Sequence, residues 1–414
     1  MLDMLRLEHV GPAPKLSVTF RERLNFFAGD NGLGKTFLLD AAWYAMTNTW
    51  AGEPVLPHGP PAPPAIGWRL REPSGALRQD VSTFDRRTEE WDPHAFHTSL
   101  GLVLYARVDG GFGVWDHTRN ARGREPFELL PAFTFTASEV WEGNARCEGL
   151  IRDWASWQLE GGEAFRQLSS VLKALSPSRS ELLEPGDLRK ISLSDPRRHP
   201  TLRMPYGEQV ALVHASAGMR RVVALAYLLV WAWREHLEAC QLLGEEPANE
   251  IAFLVDEVEA HLHPQWQRRI VPALLDVVGV LTGTSHVNVQ LITATHSPLV
   301  LASVEPTFDC ERDAVFVLEL AEDRTVVLDE FPWSKQGDVV NWLVSEAFGL
   351  RQGRSLDAET AIEVAEAWMR GDRVPPELGT AEAIDAELKR VLAGHDPFWP
   401  RWVVWVERSA GANG

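Results

Sequence analysis

Gly29-Asp30-Asn31-Gly32-Leu33-Gly34-Lys35-Thr36 fits the pattern G-x-x-x-x-G-K-[ST], and what stands on either side of it decides the fold. The apolar run Leu24-Asn25-Phe26-Phe27-Ala28 before it reads as a buried strand, and Phe37 to Met46 after it reads as an apolar helix. A loop that opens a helix welcomes anions, because the first N–H groups are unpaired and the helix dipole is positive there. In such a loop glycines let backbone N–H groups curl around a β-phosphate. Lys35 then brings a point charge to the β and γ oxygens, and the Thr36 hydroxyl ligates Mg²⁺. Gly29, Asn31, Gly32, Gly34, Lys35 and Thr36 are therefore candidate nucleotide contacts. The alternative is a chance glycine loop, which a chain with so few lysines makes a poor explanation of Lys35.

Upstream, Leu5 to Val10 and Leu16 to Phe20 alternate as strands around the turn signal Gly11-Pro12. Downstream, Pro54, Pro57, Pro60, Pro61, Pro63 and Pro64 admit neither helix nor central strand and read as a surface loop. Two hairpins follow, Ile66 to Leu70 with Leu77 to Phe84, and Gly101 to Val108 with Phe112 to Trp115, which predict a small antiparallel sheet beside a parallel one. Residues 147 to 200 read as largely helical, and Ala211 to His236 as one long helix-forming block. Ile251 to Val255 and Val289 to Thr293 are apolar runs of strand length with helical text between them, as a parallel sheet covered on both faces requires. Near the C-terminus Ala358, Ile362, Ala365 and Met369 share one helix face, and Ile384, Leu388, Val391 and Leu392 another. Gly371 and Gly394 are placed as stops and Pro375-Pro376 separates the two, so a helical hairpin is expected. The Trp-rich stretch Asp396 to Trp405 packs on that hairpin or, if exposed, offers Trp399, Trp402 and Trp405 as anchors for a partner.

The chain has 414 residues, 45% of them hydrophobic, enough for a substantial core. Its net charge of −18 disfavours nucleic-acid binding by the whole surface, while Arg86-Arg87, Arg197-Arg198, Arg220-Arg221 and Arg268-Arg269 leave room for a confined contact; each pair reads first as a solvated face or salt-bridge partner. Cys147, Cys240 and Cys310 are far apart and odd in number, which suits a reducing cytoplasm. Met1-Leu2-Asp3-Met4 lacks the pattern of a signal peptide, and the longest apolar run, Val222 to Trp233, falls short of the ~20 residues of a membrane helix. A cytoplasmic protein without membrane contact is expected.

Two further sites follow the loop. Ile251-Ala252-Phe253-Leu254-Val255-Asp256-Glu257 is an apolar strand ending in two acids. In phosphate-loop enzymes the first acid holds Mg²⁺ through water and the next polarises the attacking water, which casts Asp256 as a metal contact and Glu257 as the base. Ala215-Ser216-Ala217-Gly218 leads into an apolar helix, so Ser216 and Gly218 are a second candidate anion site, or an ordinary cap.

In this order the motifs resemble the ABC-type ATPase heads of the SMC and RecF families, whose phosphate loop, Gln loop, Ser-Gly signature, acidic strand end and switch histidine follow in sequence. Ser216-Ala217-Gly218 departs from the usual Ser-Gly-Gly by one methyl group. Asp256-Glu257-Val258-Glu259-Ala260-His261-Leu262-His263-Pro264 looks like the Asp-Glu-Pro-Glu-x-x-Leu-His-Pro run of ATPases related to the overcoming-lysogenisation-defect family, with Val258 in place of Pro. Thr293-Ala294-Thr295-His296-Ser297-Pro298 matches that family's switch, which implies His296 near the γ-phosphate. The Gln loop falls on Gln158, which reads equally as a surface residue beside a Trp-anchored helix. His261 and His263 invite a metal reading, but two residues apart on a helix they point to different faces, and the resemblance implies instead a loop at the dimer interface.

The resemblance implies an α/β P-loop NTPase with a mainly parallel core sheet, an antiparallel β subdomain, a helical subdomain and a C-terminal helical extension. The expected divisions are 1–146 and 211–330 for the ATPase core, 147–210 for the helical subdomain and 331–414 for the extension. It also implies a homodimer around two Mg-ATP, with Lys35, Thr36, Asp256 and Glu257 of one subunit facing Ser216 and Gly218 of the other. A long coiled coil of SMC type is missing between Lys35 and Ser216, where no heptads occur. The expected function is a compact ATPase switch for a separate effector protein such as a nuclease, as in bacterial anti-phage systems. A RecF/SMC-like DNA-repair or DNA-binding ATPase and a non-hydrolysing ATP-dependent scaffold are the alternatives.

Overall fold

The computed structural model describes residues 1–57, 62–72, 74–92, 100–120, 130–283 and 287–412. The chain divides into two compact units, Met1–Trp342 and Leu343–Gly414.

Within the first unit an eight-stranded sheet runs in the order Val326–Glu330, Asp313–Leu320, Leu24–Gly29, Asn288–Ala294, Glu250–Val255, Leu102–Ala106, Phe112–Asp116, Phe133–Phe135. The five strands from Asp313–Leu320 to Leu102–Ala106 are parallel, and antiparallel strands close both edges. The strand that feeds the phosphate loop is thus one place removed from the strand that ends in Asp256. The strand Asn288–Ala294 lies between them and carries the switch histidine just beyond its end, so all three sites leave the sheet at the C-terminal ends of parallel strands.

A second, antiparallel sheet runs in the order Lys15–Thr19, Leu2–Glu8, Ala65–Arg71, Leu77–Asp85, Glu90–Trp91. The helix Lys35–Thr47 is apolar on most of its surface because it fills the space between the two sheets. Leu38, Trp43 and Met46 pack there with Leu5, Leu7 and Trp68 of one sheet and Phe27, Tyr105 and Leu254 of the other. Gln290 ties the sheets at depth: its carbonyl accepts from the Leu2 N–H at 2.8 Å and its amide donates to the Leu2 carbonyl at 2.7 Å. The helix Ala217–Leu243 lies against the strand Phe112–Asp116 and the helix Ile270–Thr282.

Several sequence expectations change here. The hairpin Leu102–Ala106 with Phe112–Asp116 forms as expected but extends the main sheet, because Leu102–Ala106 pairs in parallel with Ile251–Val255. Helices occupy only part of 147–200: Leu150–Glu160 and Glu163–Ala174 are followed by a three-stranded antiparallel sheet, Glu184–Pro185, Thr201–Arg203 and Gln209–Ala211. The long helix begins at Ala217, after a strand and a short 3-10 turn have used 209–214. Pro60 and Pro61 lie outside the described residues.

The second unit contains the expected hairpin, Leu356–Arg370 and Ala381–Val391, with Ser355 and Thr380 as N-caps. Gly371 ends the first helix in the left-handed conformation, while the second ends at Leu392, ahead of Gly394. The Trp-rich stretch becomes a third helix, Trp399–Ala412. Trp402 is buried against Ile362 and Leu388 in this core, and its indole N–H donates to Asp385 at 3.1 Å.

Candidate functional site

The phosphate loop leaves its strand at Gly29 with φ +124°, and a Cβ there would stand 2.2 Å from the Leu318 carbonyl oxygen, so only glycine follows this path. Gly34, also left-handed, begins the helix, whose first residue is Lys35. The Lys35 ammonium folds back over the loop and donates to the carbonyls of Gly29 at 2.8 Å and Asp30 at 2.7 Å. Burial lowers its pKa, against the pull of Glu257, Asp30, Asp256 and Glu259.

Thr36 meets Asp256 across 220 residues of sequence: its hydroxyl donates to Asp256 Oδ2 at 2.9 Å. Asp256 is 1% exposed, and burial pushes its carboxyl up to about 6 although the Thr36 hydrogen bond opposes this. Its second oxygen, Oδ1, is buried with no hydrogen-bond partner among the described residues. Such an oxygen calls for a missing partner. One hydroxyl and one carboxylate with an unused oxygen form a donor set of the kind that Mg²⁺ takes, so the residues present fit that ion.

Glu257 follows in the left-handed region, φ +46°, an uncommon place for a residue with a side chain. Two charged side chains grip this turn. Arg221, from the first turns of the helix Ala217–Leu243, donates through Nη2 to the carbonyls of Asp256 at 2.8 Å and Glu257 at 3.0 Å, and through Nη1 to that of Val108 at 2.9 Å. Glu259 accepts from the Thr295 hydroxyl at 2.9 Å and from the His296 N–H. The His296 Nε2 lies 3.7 Å from Glu257 Oε1. Burial and the nearby Lys35 push the imidazole down, towards the neutral form, with Glu257 opposing.

Ser216 caps the helix Ala217–Leu243, its Oγ accepting from the Met219 N–H at 3.3 Å. Gly218 has a packing reason as well: a Cβ there would stand 2.5 Å from the His261 carbonyl oxygen, so the helix start lies directly on the turn that follows Glu257. His261 is left-handed within that turn, and His263 caps the short helix Pro264–Gln267, so the two stand in a loop and not on a helix face.

Gln158 is not brought to the loop. Its carbonyl accepts from the Trp154 indole N–H at 3.0 Å and its amide donates to the Gly186 carbonyl at 2.7 Å. Trp154 is fully buried and needs an acceptor for that N–H, which a glutamine one turn later supplies. Of the arginine pairs, Arg197 binds Asp195 and Glu142, Arg220 lies over Trp141, and Arg221 serves the turn. The sequence points neither to the backbone grip of Arg221 nor to the contacts of Glu259 with the His296 loop. Their signal was faint: a basic residue five places after Ser216, and an acid inside a motif that Asp256 and Glu257 already explained.

Residues 128–302 match the family described as "AAA domain, putative AbiEii toxin, Type IV TA system", a stretch that holds Ser216, Asp256, Glu257 and His296 but begins after the phosphate loop. The chain is 25% identical over 406 residues to Septu protein PtuA of Bacillus thuringiensis, covering 90% of this chain and 93% of that one. It is 31% identical over 123 residues to "Retron Vc95 probable ATPase" of Vibrio cholerae, a match that spans 29% of this chain and only 21% of the retron protein. Among solved structures, the SMC head domain from Thermotoga maritima aligns over 80% of this chain and 99% of its own, with 13% identity and a TM-score of 0.40. The recombination mediator RecF aligns over 80% and 98%, with 13% identity and a TM-score of 0.41. Phosphate loop, acidic strand end and switch histidine meet at the C-terminal ends of adjacent parallel strands, and residues 128–302, which hold all but the first of them, are similar to an AAA domain of the AbiEii-like kind.

Proposed function

We propose that the chain is an ATP hydrolase that closes as a homodimer around Mg-ATP and switches a separate effector protein in bacterial anti-phage defence. The observation that carries this reading is the Thr36–Asp256 hydrogen bond, which closes the phosphate loop onto the acidic strand end with Glu257 and His296 beside it. Thr36 and Asp256 would hold Mg²⁺, which supplies charge neutralisation at the β- and γ-phosphates. Gly29, Asn31, Gly32, Gly34 and Lys35 bind the phosphates. Glu257 accepts the proton of the attacking water, and His296 orients the γ-phosphate end of the site. Ser216 and Gly218 at the helix start complete the site of the other subunit. Likeness to a Septu protein over most of the chain, and to a probable retron ATPase over part of it, supports the defence setting.

Glu257→Gln tests the chemistry. The variant should bind Mg-ATP as the wild type does, accumulate as an ATP-bound dimer in sedimentation, and lose at least ~10²-fold in turnover, the contribution of a general base. Turnover near that of the wild type would remove Glu257 from the role.

A further inference from the structure

The turn that carries Glu257 and the loop that carries His296 are joined by a carboxylate that phosphate binding leaves unused. Glu259 stands two residues after Glu257. One of its oxygens accepts from the Thr295 hydroxyl at 2.9 Å, and the other accepts from the backbone N–H of His296 itself. Thr295 is buried, and its hydroxyl also accepts from the Ser297 N–H at 3.1 Å, which fixes the loop's shape on both sides of the histidine. A second rung lies farther along the same two segments, where the Ser297 hydroxyl donates to Gln267 Oε1 at 2.8 Å and Gln267 Nε2 donates to the Leu262 carbonyl at 2.9 Å. Only the Glu259 rung touches His296. The path Glu257, Val258, Glu259, His296 therefore closes a circuit across the 3.7 Å between the His296 ring and the Glu257 carboxylate.

We propose that Glu259 is a positioning residue for hydrolysis, which holds His296 at its working distance from Glu257 by hooking the histidine loop to the turn of the base. This inference rests on the assignment of Glu257 and His296 to the reaction. It makes a statement about geometry rather than charge: glutamine at 259 can keep both contacts, its carbonyl accepting the His296 N–H and its amide donating to the Thr295 hydroxyl, whereas alanine keeps neither. Misplacement of a reacting group by about 1 Å lowers rates by up to ~10².

The experiment compares steady-state ATP hydrolysis of full-length wild type, Glu259→Ala, Glu259→Gln, Thr295→Val, His296→Ala and the double variant Glu259→Ala/His296→Ala, with melting temperature and Mg-ATP binding measured on each. Glu259→Ala should lower kcat at least ~10-fold with KM within about twofold, the pattern of a lost transition-state interaction. Glu259→Gln should recover most of that loss, and Thr295→Val, which removes one hydroxyl and little volume, should fall between them. The double variant should be no slower than His296→Ala alone, because Glu259 acts through His296. Equal losses in Glu259→Gln and Glu259→Ala, or additive losses in the double variant, would overturn the positioning role while leaving the hydrolase reading intact. Should Glu259→Ala fail to fold, Thr295→Val and Glu259→Gln carry the test, and wild-type kcat in Thr295→Val overturns it. A wild type without turnover would overturn both proposals at once.

Discussion

Asp256→Asn should make the nucleotide-free protein's stability less dependent on pH, in a direction fixed by burial. A carboxyl raised from its ordinary 3.8 to about 6 in the folded state costs ~3 kcal/mol to keep ionised at neutral pH, relative to the unfolded chain. The sign follows from proton uptake: between about 4 and 6 the folded protein binds a proton that the unfolded chain does not, so the penalty is full above 6 and fades as the pH falls towards 4. Asparagine keeps an oxygen for the Thr36 hydroxyl and removes the charge, but its NH₂ takes the place of an oxygen that already lacks a partner. That substitution carries a constant cost of ~1–3 kcal/mol, independent of pH. The decisive quantity is therefore the change of the gap between variant and wild type with pH. Urea denaturation of both proteins without nucleotide should show the variant losing ~1.5 kcal/mol of relative stability between pH 7.5 and pH 5, about half of the whole effect. In Mg-ATP the wild type should gain stability and the variant should gain far less. A gap that stays constant from pH 7.5 to 5, or one that widens in favour of the variant, would refute the reasoning.

Lys35→Ala should lose most of the stabilisation by Mg-ATP, ~2.7 kcal/mol at a hundredfold excess over the dissociation constant, as read from melting curves at matched nucleotide concentrations; equal shifts in both proteins would place ATP elsewhere. Ser216→Arg should bind ATP yet neither dimerise nor turn over. Mixed with Lys35→Ala it should regain part of the activity, because a hybrid dimer contains one undamaged composite site, and wild-type turnover by Ser216→Arg alone would sink the shared site.

Lys35, Thr36, Asp256 and His296 are legible in the sequence because each sits in a continuous stretch whose local pattern also dictates its backbone: strand, glycine turn, helix, or apolar strand and acidic end. What the pattern cannot contain is the meeting of those stretches. The Thr36–Asp256 bond depends on strand order, which places Asn288–Ala294 between the loop strand and the acidic strand. The hairpin Leu102–Ala106 with Phe112–Asp116 shows the same limit: its turn Asp109-Gly110-Gly111 announces antiparallel pairing, whereas its partner on the other side is 149 residues away, Ile251 opposite Leu102. Arg221 illustrates another. Among arginine pairs in an acidic chain it reads as a solvated charge, yet its guanidinium satisfies three backbone carbonyls, contacts that no side-chain identity announces. Gln158 shows a further limit, since its spacing fits a Gln loop and a Trp-anchored helix equally and only the fold reveals that its carbonyl serves a buried indole one turn back.

The helix Ala217–Leu243 has 27 residues, so it extends for roughly 40 Å. At its start it has no slack: Gly218 lies against the His261 carbonyl, and Arg221 is fastened to the carbonyls of Asp256 and Glu257. At its far end Leu242 is 83% exposed. The helix is held farther along as well, by the Tyr227 hydroxyl on Asp153 and by His236 against Asp116, so a side chain larger than glycine at 218 could not be relieved by sliding the helix and would press on the turn that carries Glu257.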